Sequence, residues 1–290
     1  MKLIWKFNLV LLGIFVLGFA FAGYTSYTAL QSNAREEILQ NARLMMEAAL
    51  ASRNYTNLQV KPLLQNQLKY AFLPQTVPAY AATEQFNELR KKHPDYAYKE
   101  ATLNPSNPRD RASDWERDVV EHFRQFPEEA ERIGERETPN GTSLYLARPI
   151  QVTSGACLEC HSTVQAAPRT MIDLYGPANG FGWKMNEIIG AQLVSVPMSV
   201  PIARARQTFR SFMVSLALVF LATFVLLNVM LHTMVIRRVT RLAEVADKVS
   251  MGELEAGDFH SRSRDEIGTL TTALGRMKES LVQAMKMLGE

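Results

Sequence analysis

Two stretches of the chain carry no charged residue beyond the titratable His232: FNLVLLGIFVLGFAFAGY at residues 7–24 and FMVSLALVFLATFVLLNVMLHTMVI at residues 212–236. A helix needs about 20 apolar residues to cross the hydrocarbon core of a bilayer. Both stretches therefore predict membrane-spanning helices, the first near the short end of the range. Between them the pattern changes. From Thr28 to Tyr70 few residues break a helix, and Ile38, Ala42, Met45, Met46, Ala49 and Leu50 recur at three- and four-residue spacing. That spacing draws the apolar stripe of a helix packed on a core, and Pro74 and Pro78 predict its end. YAYKEATL (96–103), TSLYLARPIQV (142–152) and AQLVSVPMSV (191–200) have strand character. Asn140-Gly141 is placed for a tight hairpin turn before the second, and Pro197 marks the third as an edge strand or a strand end. WERDVVEHFRQF (115–126) reads as a short helix. Helix first, then antiparallel strands, is an α+β layout. The connecting segments NPSNPRDR (104–111) and YGPANGFGW (175–183) are clusters of Pro, Gly and Asn, the kind of loop that lines ligand sites on a rigid scaffold.

Beyond the second apolar stretch a heptad rhythm takes over. Val239, Leu242, Ala246 and Val249 step by three, four and three, and Ile267, Leu270, Leu274, Met277, Leu281, Ala284 and Leu288 continue after a connector. This is the a/d seam of a coiled coil, which implies a partner chain. Ser263-Arg264-Asp265-Glu266 fits a capping box opening the second helix, Gly252 closes the first, and Leu254 and Phe259 in the connector are placed to pack on the bundle.

Charge adds orientation rather than function. A formal charge of +3 over 290 residues leaves no nucleic-acid footprint. Lys2 and Lys6 precede the first apolar stretch, and Arg237, Arg238 and Arg241 follow the second. Basic residues stay on the cytoplasmic side. The expected layout is a cytoplasmic N-terminus (1–6), a first membrane helix (7–24), an exported domain (25–211), a second membrane helix (212–236) and a cytoplasmic tail (237–290) in a bacterial inner membrane. Arg204, Arg206 and Arg210 pull the other way. We read the first stretch as an uncleaved anchor rather than a signal peptide cut after Ala20-Phe21-Ala22, because the apolar run is long for a signal sequence.

The exported domain holds both cysteines of the chain, in TSGACLECHS at residues 153–162. A disulfide across three residues would close a tiny loop and stabilise little. A thioredoxin-like pair leaves His161 without a role. A zinc site needs four ligands and would have to borrow His93 or His122 from afar. Cys-x-x-Cys-His is the signature of c-type haem attachment. Each thiol adds across one vinyl group of the porphyrin, and the adjacent histidine is delivered to the iron. On this reading Cys157 and Cys160 hold one haem c per chain and His161 is the proximal ligand. With no third cysteine, a distal thiolate is excluded; Met46 on the long helix is the preferred distal candidate, ahead of an open or water-bound position, and Met45 is its alternative. No nucleophile or acid–base pair stands out, so the chain is expected not to be an enzyme.

Two resemblances extend this. Residues 236–288, through Asp265-Glu266-Ile267-Gly268, Leu270 and Met277, closely resemble the HAMP family, although Val239 stands where many members carry proline. The resemblance implies a parallel four-helix coiled coil in a homodimer that relays signals from a membrane helix. Residues 30–201 resemble the PAS-like periplasmic sensor domains with a single c-type haem. The likeness runs through PQTVPAYAATEQF (74–86), YKEATLNPSNPRDRAS (98–113), CLECH and NGFGWKMNEIIGAQLVSVPM (179–198). It implies a PAS-like antiparallel sheet flanked by the long helix, the haem between them, and a distal ligand from that helix, which here favours Met45 or Met46. The expected function is a membrane-bound haem sensor reporting redox or small-ligand state through the HAMP relay. Because no output region follows the seam, a separate cytoplasmic partner is expected. A membrane-anchored electron-transfer cytochrome is the alternative.

Overall fold

The computed structural model describes residues 3–139, 141–253, 257, 259 and 265–288. These fall into two compact units, Thr28–Thr208 and a second made of Met1–Tyr27 with Phe209–Glu290.

The first unit is built on a four-stranded antiparallel sheet: β1 (Ala97–Thr102), β2 (Arg132–Thr138), β3 (Gly141–Gln151) and β4 (Ile188–Pro197), in the order β1-β4-β3-β2. Alternation along the strands sorts side chains to two faces. Tyr98, Leu144, Leu146, Val194 and Val196 point to one, where they meet Ile38, Ala42, Met46 and Ala49 of α1 (Leu3–Tyr55). Ala101, Ala147, Ala191 and Leu193 point to the other and meet Val119, Val120 and Phe123 of the helix Asp114–Gln125. The result is three layers, helix on sheet on helix. The stripe read from the sequence is thus the face of α1 that buries, and Leu146 opposite it is wholly enclosed.

Several boundaries differ from the sequence reading. The helix does not run unbroken to Tyr70: α1 ends at Tyr55, a π turn covers Thr56–Val60, one further turn, α2 (Lys61–Leu63), follows, and a 3-10 turn at Gln67–Lys69 ends the segment. The prolines start helices rather than stop one. Pro74 opens a 3-10 turn and Pro78 is the first residue of α3 (Pro78–Arg90), where its missing N–H costs nothing. Here Ala82 and Phe86 extend the α1-side core, Phe86 stacking on Tyr98. The helix Asp114–Gln125, α4, begins with a capping box in which Ser113 and Glu116 satisfy each other's backbone N–H groups. Two short helices follow, α5 (Gly155–His161) and α6 (Arg169–Tyr175). β4 is central, not an edge, and Pro197 sits at its end. The hairpin from β2 to β3 pairs Thr138 with Gly141; Asn140 of its turn lies outside the described residues.

In the second unit, two helices are long and apolar enough to cross a membrane. The N-terminal part of α1 packs on α7 (Ser199–Met230) through Phe15 stacked on Phe220 at 4.8 Å and Tyr27 edge-on to Phe209. Gly18 faces Phe220 and Gly23 faces Met213; small residues of this kind let apolar helices approach closely. A π turn, Leu231–Ile236, leads into α8 (Arg237–Ser250), and after the connector comes α9 (Glu266–Leu288). Leu242 and Val249 of α8 and Thr271 of α9 are buried. The cap of α9 is Asp265, whose side chain accepts from Gly268 N at 2.8 Å and also pairs with Arg238. Ser263 of the expected capping box lies outside the described residues, as does Leu254. Phe259 lies against Gly275, as the pattern suggested.

Candidate functional site

The segment TSGACLECH becomes α5 because Ser154 caps it, its hydroxyl accepting from Ala156 N at 3.3 Å. Three residues apart on a helix, Cys157 and Cys160 lie on one face. Both thiols are free and partly exposed. Burial pushes the Cys160 thiol up, with Lys61 opposing and Glu159 adding to the shift. No cluster of three or more His, Cys, Asp or Glu side chains able to hold a metal ion occurs among the described residues. His122 hydrogen-bonds Glu129 at 2.5 Å and His93 lies edge-on to Tyr96, so neither joins the cysteine pair as the zinc reading would need.

His161 ends α5 and is held on two sides. Its Nδ1 donates to Gly180 O at 2.7 Å, and its ring stacks on Trp183 with centroids 3.9 Å apart and planes 15° from parallel. The backbone of the 175–183 loop runs back along the helix end: Gly182 N donates to Ser162 O at 2.9 Å and Trp183 N to His161 O at 3.1 Å. Burial lowers the imidazole's pKa, partly opposed by the bond to Gly180. A neutral ring with its proton on Nδ1 leaves Nε2 as a lone-pair donor. A second-shell carbonyl fixes metal-ligating histidines in this way.

The other loop singled out in the sequence holds the peptide groups on either side of the Gly180 carbonyl. Asn104 Oδ1 accepts from Gly180 N at 3.1 Å and Asn104 Nδ2 donates to Phe181 O at 3.2 Å. Gly180 takes φ +86°, and a Cβ there would stand 1.9 Å from Ser106 Oγ. Only glycine fits. Asn104 was not foreseen as a site residue; the signal was the Asn-Pro cluster that starts at it.

A second group of polar side chains joins α1 to the sheet. Arg53 pairs with Glu100, a buried carboxylate that accepts from Tyr98 OH at 2.8 Å; Gln192 Nε2 donates to that hydroxyl at 3.1 Å. Burial disfavours the Arg53 charge, but Glu100, with smaller contributions from Tyr98 and Cys157, holds its pKa above the usual value. Burial and Glu100 together push the Tyr98 phenol far up. Met46 is elsewhere. It is fully buried among Ile38, Ala42 and Ala49, and Met45 packs at the margin of the same cluster. Seven residues separate Met46 from Arg53, about 10 Å along a helix.

A model of the Tll0287-like family matches residues 31–197. The chain belongs to the Tll0287-like family. A HAMP-domain model matches residues 230–283. The Tll0287-like part is similar in structure to a solved protein described as the cyanobacterial heme-protein Tll0287, with a TM-score of 0.43 and 15% identity, covering 56% of this chain and 95% of that one. No curated protein matches. Tll0287-like membership accounts for the mixed helix and antiparallel-sheet domain between two apolar helices, and the HAMP domain follows it.

The donor set fits a covalently held haem: two free thiols on one helix face, and an adjacent imidazole held through Nδ1. Leu58, Leu63 and Tyr70, on the segment that carries Lys61, are exposed and offer apolar surface.

Proposed function

We propose that this chain is a non-enzymatic membrane sensor. Its exported domain carries one haem c on Cys157 and Cys160, with His161 as proximal ligand. The observation that carries the reading is the His161 Nδ1–Gly180 O bond beside two free cysteines on α5. The haem supplies an iron that changes oxidation state and takes up small ligands. The residues supply the rest: α5 presents both thiols, Gly180 fixes the imidazole tautomer, and Trp183 limits its rotation. The distal ligand is proposed to come from α1, as Met46 or Met45. Leaving the apolar cluster counts against Met46 and less against half-buried Met45.

The tail is proposed to act as a homodimer. Leu270, Met277 and Leu281 of the heptad seam are exposed on a single chain, and apolar seam positions call for a partner helix. The sensing unit is proposed to be periplasmic and the HAMP domain cytoplasmic, on the strength of the basic residues at Lys2, Lys6, Arg237, Arg238 and Arg241. A cytoplasmic output protein is the proposed recipient.

Two measurements test this. The full chain, made in a host that matures c-type cytochromes, should keep a haem-stained band on a denaturing gel; a colourless band refutes the attachment. The M277C chain, spin-labelled in nanodiscs, should give different α9-to-α9 distances when oxidised and reduced. Identical distances refute the sensor and favour the electron carrier.

A further inference from the structure

A cleft of about 350 Å³ opens on the α4 side of the sheet and shares no lining residue with α5. Its floor is Ala97, Leu193 and Ser195; Trp115 of α4 forms one wall, and Thr83, Asn87 and Arg90 of α3 form the other. Arg136 of β2 lies over the Trp115 ring, 4.3 Å from its centroid. The charges lining this space do not balance. Arg90, Lys99, Arg109 and Arg136 face Asp110 and Glu116. Lys99 is spent on Glu116 at 2.7 Å, and the same carboxylate oxygen also accepts from Ser113 N. Arg109 is spent on Glu84, lies over the Tyr80 ring, and has Asp110 beside it. Arg136 and Arg90 have no carboxylate partner among the described residues.

A half-buried guanidinium lying over an indole, without an anion, is an unmet binding group. Its planar fork matches a carboxylate in two parallel hydrogen bonds. The hydroxyls of Thr83 and Ser195 add neutral donors. Leu193, Ala97 and the Trp115 face give an apolar bed, and the volume lies at the low end for small-molecule pockets.

We propose that this cleft binds a small carboxylic acid with an apolar body, its carboxylate taken by Arg136 and Arg90 and its body lying against Trp115 and Leu193. The claim is independent of the haem reading, because no residue of the cleft belongs to the cysteine helix. Titration calorimetry of the full chain in detergent with benzoate should give saturable binding of one per chain. Benzamide, of the same shape without charge, should give none. R136Q and R90Q should each weaken benzoate about tenfold or more, with the absorption spectrum of the purified chain unchanged. The proposal is overturned by no saturable heat, by benzamide binding as well as benzoate, by both variants binding like the parent, or by inorganic phosphate displacing benzoate on equal terms.

Discussion

Replacing Asn104 with Ala removes both side-chain bonds that hold the 175–183 loop, the 3.1 Å bond to Gly180 N and the 3.2 Å bond to Phe181 O. Neutral hydrogen bonds contribute about 0.5–1.5 kcal/mol each. Because Asn104 is exposed and water replaces part of what is lost, we expect the variant to lose about 1–2 kcal/mol in total. For a domain of this size that lowers Tm by roughly 2–8 °C. A purely structural asparagine would do no more. Asn104, however, holds the peptide groups on either side of the one whose carbonyl accepts from His161 Nδ1 at 2.7 Å. Losing the group that bonds a metal-ligating histidine costs about 10–100-fold in metal affinity or activity, an upper bound here because Asn104 only holds that group in place. In a tethered haem the same loss should appear as a mixed axial coordination and a shifted midpoint potential. The assay is the oxidised and reduced absorption spectrum with a redox titration, run beside thermal unfolding. Asn104→Asp keeps an acceptor for Gly180 N and should recover most of the spectrum. If Asn104→Ala lowers Tm and leaves both spectrum and potential at parental values, the positioning chain from Asn104 through Gly180 to His161 is wrong.

Cys157→Ser and Cys160→Ser should each leave a single thioether, and the double variant should lose all haem stain on a denaturing gel; a stained double variant sinks the attachment. Gly180→Ala puts a methyl group 1.9 Å from Ser106 Oγ at φ +86°, so unfolding should report a loss of about 2 kcal/mol or more; Ser106→Gly should restore part of it, and strict additivity of the pair would contradict the contact. Met46→Leu conserves volume and should cost less than about 1.5 kcal/mol, so disappearance of a thioether–iron band in that variant assigns the ligand, and persistence removes Met46. Burial raises the Asp110 carboxyl to about 6, against the pull of Arg109. Its protonated form is the one the fold prefers, so its favourable contribution is full below the unfolded value near 4 and lost as pH rises through about 6. Asp110→Asn should therefore raise Tm at pH 7, with the gain fading by pH 4; a gain that does not change with pH rejects the assignment.

What the sequence revealed and what it hid follow from where the signal lies. The Ile38–Ala42–Met46–Ala49 stripe was legible because its residues are apolar at helical spacing and all bury. Strands β1, β3 and β4 were legible by composition, since each carries buried apolar positions. β2 was not, because Arg132–Thr138 buries nothing: it is an edge strand whose pairing to β3 is written in backbone bonds. α3 was hidden by treating Pro78 as a breaker, when proline is at home in the first turn of a helix. At the site, the Cys-x-x-Cys-His spacing alone pointed to the residues proposed for attachment, Cys157, Cys160 and His161. Asn104 and Gly180 could not be read, since their role depends on two loops 76 residues apart meeting in space.

Arg53 stands between these cases, and it changes how α1 is understood. It continues the buried stripe by the same arithmetic, four residues after Ala49, yet a charge at that position looks like the end of an apolar face. In the structure the face goes on, and the sheet supplies the counter-charge: Glu100 and the Tyr98 hydroxyl lie on the same sheet face as Leu144 and Val194. A buried ion pair of this kind is poor evidence of stability, because desolvation cancels much of the attraction, while removing one partner costs about 3–5 kcal/mol. Specificity explains it better than strength. A sliding apolar stripe finds many near-equal positions against Val and Leu, whereas a guanidinium that must meet one carboxylate finds a single register. That register sets which turn of α1 meets Glu100, and it places there an arginine with a π turn beginning three residues beyond, leaving Met46 in the core and Met45 at its margin.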